Sequence, residues 1–128
     1  TARGRLAEII VLDQFSRNMF RDTPQAFAQD ALALALAQEA IAAGADQALS
    51  APERSFLYLP LMHSESLIIH EQAVSLYSAH GQPHNLEFEL KHQAIIQQFG
   101  RYPHRNTILG RVSTPEELAF LQLPNSGF

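Results

Sequence analysis

Three short segments concentrate the side chains that can do chemistry: LDQFSRN at 12–18, HSES at 63–66 and GRYPHRN at 100–106. Together they supply Asp13, Gln14, Arg17, Asn18, His63, Glu65, Arg101, His104, Arg105 and Asn106, with Arg111 a few residues on. Arginine forks match carboxylate or phosphate through paired N–H donors, asparagine adds a neutral donor and acceptor, and histidine beside a carboxylate exchanges a proton near neutrality. Such a set can hold an anion or move a proton. The third segment poses the sharper problem, because no Asp or Glu lies between Leu90 and Pro115 to neutralise Arg101, Arg105 and Arg111. Those cations must find distant carboxylates, water or an anionic ligand.

The elements that position these segments read as helices. Leu6, Ile9, Ile10, Phe15 and Met19 recur at helical spacing over residues 5 to 20, with a break near Ser16. Thr23 and Pro24 open a second helix that carries Phe27, Ala31, Leu34 and Ile41 on one stripe and stops at Gly44. Ser50 and Glu53 form a capping box for a third, which Pro60 interrupts; Ser64 caps a fourth, ended by Gly81. A fifth runs from Asn85 to Gly100 with Phe88, His92, Ile95 and Phe99 on one face, and a short turn spans Pro103 to Gly110. Thr114 and Glu117 box the last helix. Nothing alternates with a period of two for long enough to make a strand, so the expected class is all-α, built from antiparallel helical hairpins. Each polar segment follows an odd-numbered helix, and unbroken up-down alternation would bring all three to one end of the layer.

Other candidates carry less. Glu89 and His92 have the E-x-x-H spacing of carboxylate-bridged metal bundles, but the second such pair and the extra inward glutamates are missing, so His92 is read as a hydrogen-bonded core histidine. His63 and His70 are seven apart, with Pro60 and the new cap at Ser64 spoiling a shared face. No metal and no cofactor are expected. Ser64 reads as a cap, since no nucleophile-elbow context surrounds it. His80 and His84 flank a Gly-Pro turn and read as solvated.

Composition narrows the function classes. At 128 residues and 46% hydrophobic, the chain is sized for one core. Its net charge of −4 argues against nucleic acid, and no apolar run approaches the roughly 18 residues of a membrane span. Of nine cations all but Lys91 are arginine, the residue suited to forked pairing. With no cysteine, disulfide and thiolate chemistry are excluded, and a reducing cytoplasm is the expected compartment.

The ordered blocks RLAEIIVLDQFSRNMFR, AFAQDALALA, FLYLPLMHSE, FGRYPHRNTILGR and STPEELAFL resemble the bacterial Domain of Unknown Function 924 family from about Gly4 to Leu121. The resemblance implies a tetratricopeptide-like, right-handed superhelical fold and no established activity. Members of that family usually carry a further tryptophan-containing N-terminal segment. Residues 1–128 are therefore expected to be a single all-helical domain, the C-terminal portion of a longer member. The family's polar positions fall on Asp13, Gln14, Arg17, Asn18, His63, Ser64, Glu65, Arg101, His104, Arg105, Asn106 and Arg111. Ser16, Ser66 and Tyr102 depart from the family's usual proline, acid and phenylalanine, and the missing acid at Ser66 weakens a two-carboxylate mechanism.

Three readings follow. In the first, the polar segments form a pocket for an anionic small molecule or a peptide carboxylate, with Arg105 as the best anion position because free helix amides near Pro103 would add donors. In the second, an enzyme uses Glu65 with His63 or His104 as its acid-base pair and Arg105 to stabilise negative charge. In the third, the polar residues are a structural network within a protein-interaction scaffold, with a protein as partner.

Overall fold

The computed structural model describes residues 1–127, and the described residues are helical with no strand. Helix α1, Ala2–Ile10, is capped by the Thr1 hydroxyl, which accepts from Gly4 N at 2.9 Å. A wide π-type turn, Val11–Phe15, joins it to the short α2, Ser16–Met19. The chain then passes through a tight turn, Pro24–Phe27, into α3, Asp30–Ala42. Helices α4, Ala51–Met62, α5, Leu67–His80, and α6, Pro83–Phe99, pack as successive neighbours. Another tight turn, Pro103–Arg105, leads to α7, Pro115–Leu121.

α4 is the axis of the packing, since α1, α3, α5 and α6 all touch it. Its capping box forms in both directions, Ser50 N to Glu53 Oε1 at 3.0 Å and Glu53 N to Ser50 Oγ at 3.3 Å. Leu57, Tyr58, Leu61 and Met62 of α4 meet Leu6 and Ile9 of α1, Ala37 and Ala40 of α3, and Ala73 and Tyr77 of α5 in the main core. A smaller core gathers Ile95, Ile96 and Tyr102 against Phe99 and Phe120. Tyr58 and Tyr77 meet edge to face at 5.5 Å, and their hydroxyls donate to Asp46 Oδ2 and the Ser55 carbonyl. Burial of each ring thus leaves no hydroxyl unmatched.

Several local expectations change. α3 begins at Asp30, because Thr23 Oγ1 turns back to the Phe20 carbonyl instead of capping, and Pro24–Phe27 closes a separate turn. Its buried face is Ala33, Ala37 and Ala40, while Ala31 is exposed; small side chains let the helices approach closely. α4 runs through Pro60 without the expected interruption, although the proline has no N–H to donate to the Phe56 carbonyl. The cap of α5 is Ser66, and the Ser64 hydroxyl instead accepts from Ser66 N. On α6 the inward positions are Glu89, His92, Ile95 and Ile96, with Phe88 outside.

Candidate functional site

Helical spacing sets the first residue of the site, within the π-type turn. The inward stripe of α1, Leu6 and Ile9, continues to Asp13, which is 1% exposed, while Val11 and Phe15 face outward. Asp13 Oδ1 accepts from Arg17 Nη1 at 3.0 Å and faces His63 Nδ1 at 2.8 Å; Oδ2 accepts from Gln14 Nε2 at 2.5 Å. Burial alone would raise the Asp13 carboxyl, but the hydrogen bonds from His63, Arg17 and Gln14 outweigh it and hold the group below the usual carboxylate range.

His63 is the C-cap of α4, just beyond Met62. Because Asp13 is an ionised acceptor, Nδ1 carries the ring proton and Nε2 is left as a lone-pair acceptor. Nε2 has no hydrogen-bond partner among the described residues and is not sealed from solvent. Burial pushes the imidazole below its ordinary value against the pull of Asp13, and the charges of Arg17 and Arg105 push it further down. The neutral ring is the resting form.

Arg105 lies in the Pro103–Arg105 turn, reached from α6 through Gly100, whose φ of +72° is a left-handed conformation that glycine adopts without strain. Its guanidinium stands over Phe27 at 4.6 Å and Tyr102 at 4.7 Å, and its Nη2 donates to the His63 carbonyl at 2.9 Å. Asp30 is 3.8 Å away, too far for a hydrogen bond, and Nε is buried without an acceptor. Arg105 is 6% exposed and under-coordinated for a buried cation.

The remaining acids near it are taken. Asp30 receives both arms of Arg17, at 2.7 and 2.9 Å. Glu65 receives both arms of Arg111, at 2.9 and 3.1 Å, and the Tyr102 amide at 2.6 Å. Burial works against the ionised Glu65, yet these donors hold its carboxyl down. A carboxylate so saturated is a poor proton carrier, and the acid that holds His63 is Asp13. The expected Glu65–His63 pair is corrected accordingly. Burial also takes His104 down to about 4, so its ring is neutral near pH 7.

Two cavities meet at His63. One, of about 440 Å³, is lined by Phe27, Asp30, Pro60, Ser64, Glu65 and Arg105 besides His63. The other, of about 490 Å³, is more apolar, with Phe56, Leu59, Met62, Phe88 and His92. The three polar segments join at His63: Asp13, held by Gln14 and Arg17, meets its ring from behind, Glu65 lines the smaller cavity beside it, and Arg105 lines that cavity and donates to its carbonyl. Asp13, Gln14, Arg17 and His104 line neither cavity. Arg111 joins through Glu65. Asn18 does not join; it is exposed and accepts from Arg21 at 3.4 Å. Arg101 lies apart, paired with Glu117 at 2.7 and 2.8 Å. Asn106 is buried and braces the loop between Ser113 Oγ and Arg111 Nε.

Residue types alone missed Asp30, which neutralises Arg17 across 13 positions, and Phe27, which carries both cations on its ring. They also missed a buried set behind the site. His70 Nε2 meets the Ser64 carbonyl at 2.6 Å and the Tyr102 oxygen at 3.0 Å, while Tyr102 donates to the Met62 carbonyl. A carbonyl only accepts, so His70 Nε2 donates and Nδ1 is left to share a proton with Glu89 Oε2 at 2.8 Å. Burial raises the Glu89 carboxyl despite that bond, and its Oε1 is buried without a partner. The E-x-x-H spacing of Glu89 and His92 thus serves packing: His92 Nδ1 donates to the Phe88 carbonyl at 2.7 Å. Among the described residues no three His, Asp or Glu converge as a metal-ligand set.

Fold and geometry define an all-helical protein with a cavity walled by a buried arginine and a carboxylate-held histidine. The chain belongs to the family described as bacterial protein of unknown function, Domain of Unknown Function 924, whose model matches residues 1–125. It is similar to the solved structure of ATU0120, a protein of unknown function from Agrobacterium tumefaciens, at 44% identity and a TM-score of 0.90, over 94% of this chain and 68% of that one. No curated protein matches the chain.

Proposed function

We propose that the chain is a small-molecule-binding domain whose 440 Å³ cavity takes an anionic small molecule or a peptide carboxylate, with Arg105 as its anchor. The observation that carries the reading is the state of Arg105: buried, stacked between two aromatic rings, and given one hydrogen bond where its five N–H groups can make more. Nε is sealed from the cavity, so the donors a ligand can meet are the Nη groups. An acceptor on the ligand that replaces their water avoids the cost of about 1–3 kcal/mol that an unpartnered buried donor carries. Arg17, Arg105 and Arg111 are balanced by Asp13, Asp30 and Glu65, so the region has no surplus of cations; Asp30 supplies the acid that the expected surplus overlooked. That balance favours a monoanion over a more highly charged ligand. The successive packing of α3, α4, α5 and α6 supports the tetratricopeptide-like superhelix as part of the same reading. The lack of cysteine supports a cytoplasmic setting.

The test is thermal denaturation of wild type and Arg105→Ala in graded acetate or phosphate, with chloride at matched ionic strength as control. Wild type is expected to gain stability from acetate or phosphate beyond chloride, and the variant to lose that gain, a loss of about 1.5–3 kcal/mol of binding. Equal responses of the two proteins would make these arginines structural.

A further inference from the structure

The cavity wall offers two unlike functions side by side. Arg105 can only donate, and its Nη2 bond to the His63 carbonyl fixes it next to the residue whose Nε2 can only accept. The acceptor character of Nε2 is imposed from behind. Asp13 is buried and ionised, it is braced by Arg17 and Gln14, and its Oδ1 lies 2.8 Å from Nδ1, so the ring proton stays on Nδ1. An acceptor left open in a cavity loses its water when a ligand enters. Unless the ligand brings an N–H or O–H of its own, that loss is uncompensated.

We propose that the ligand is a small monoanion that also carries a hydroxyl, of the hydroxycarboxylate kind, with its carboxylate on Arg105 and its hydroxyl donating to His63 Nε2. This rests on the anion-binding reading above and adds the specificity element to it. His63 selects for the donor, and Asp13 acts as a positioning residue that keeps Nε2 deprotonated. An anion of similar size without the hydroxyl leaves the lone pair facing carbon.

Lactate and propionate differ at the relevant group, and their binding to the full chain is measured by NMR chemical-shift titration at matched ionic strength. Lactate is expected to bind about tenfold more tightly than propionate. Asp13→Asn is expected to abolish that preference, because an amide at position 13 can donate to Nδ1, which moves the ring proton to Nε2 and turns the acceptor into a donor. His63→Ala should likewise equalise the two ligands, whereas Arg105→Ala should weaken both. The nitrogen shifts of His63 in wild type give a readout independent of any variant, with Nδ1 protonated and Nε2 bare. If both acids bind equally through Arg105, the hydroxyl inference falls and the anion site stands. If neither binds, both fall. A wild-type His63 with its proton on Nε2 overturns the inference whatever the variants do.

Discussion

Arg101 and Glu117 are sixteen positions apart, and the pair holds the end of α6 to the start of α7. Glu117 serves twice, since it also accepts from Thr114 N at 2.9 Å while its own amide donates to Thr114 Oγ1 at 3.1 Å. The Arg101 hydrogen bonds are the largest influence on its carboxyl, and with the Thr114 amide they bring it to about 2. A carboxyl lowered on folding adds stability that is complete above its unfolded value and lost as pH falls toward the folded one. Glu117→Gln is expected to cost about 1–2 kcal/mol at pH 7. The difference should shrink below about pH 4.5 and vanish near pH 2, as followed by urea denaturation across that range. A difference that persists unchanged at pH 2 would show that shape, and not charge, is what Glu117 supplies.

At the scale of the element, α3 shows why an amphipathic stripe misleads in an alanine-rich helix. Leu32, Leu34 and Leu36 spread around the cylinder, and the buried line is Ala33, Ala37 and Ala40, each 0% exposed. Close approach of α3 to α1 and α4 brings Ala37 and Ala40 into the main core beside Leu6 and Leu57. Ala37→Leu adds volume where no void receives it and is expected to cost about 1–3 kcal/mol in chemical denaturation. Leu32→Ala, at a position 49% exposed, is expected to stay within about 0.5 kcal/mol. The reverse ranking would mean that the leucine face, not the alanine face, packs. The turn between α1 and α2 is the other informative element. Asp13 stands seven residues after Leu6 and four after Ile9, so ordinary helical spacing already carries it onto their stripe, and the wide turn begins around it.

Across the whole molecule, three buried histidines are held below their ordinary value. Burial lowers His63, and it takes His92 and His104 each to about 4. Three rings crowd around Tyr102, with His70, His92 and His104 at 6.2, 5.7 and 5.8 Å from its centroid. A histidine lowered on folding is protonated first in the unfolded chain. Its stabilising contribution is therefore complete above about pH 6.5 and lost as pH falls toward the folded value, at up to ~1.4 kcal/mol per pH unit for each ring. Glu89, raised by burial, acts in the opposite sense, one group against three. The urea midpoint is expected to fall steadily from pH 6.5 to pH 4.5, above the range where Glu117 contributes, and the fall should be shallower in His92→Gln. A midpoint flat over that interval would contradict the neutral burial of these rings.

The all-helical class, both capping boxes and the stops at Gly44, Gly81 and Gly100 were legible in the sequence because each depends on a few adjacent residues and on backbone groups that any helix end must satisfy, whereas the starts of α3 and α5 and the run of α4 through Pro60 were not. The family was legible because its polar blocks keep their order along the chain. Partner choice was not. The absence of acids from Leu90 to Pro115 stated the problem of Arg101, Arg105 and Arg111, but an ion pair depends on where backbones bring charges, not on their spacing. Tertiary structure alone sent Arg101 to Glu117 and Arg111 to Glu65, placed Asp30 between Arg17 and Arg105, and saturated Glu65. It also brought His63 to Asp13, because helical spacing turns that carboxylate inward with Leu6 and Ile9 but cannot tell which residue 50 positions away will meet it.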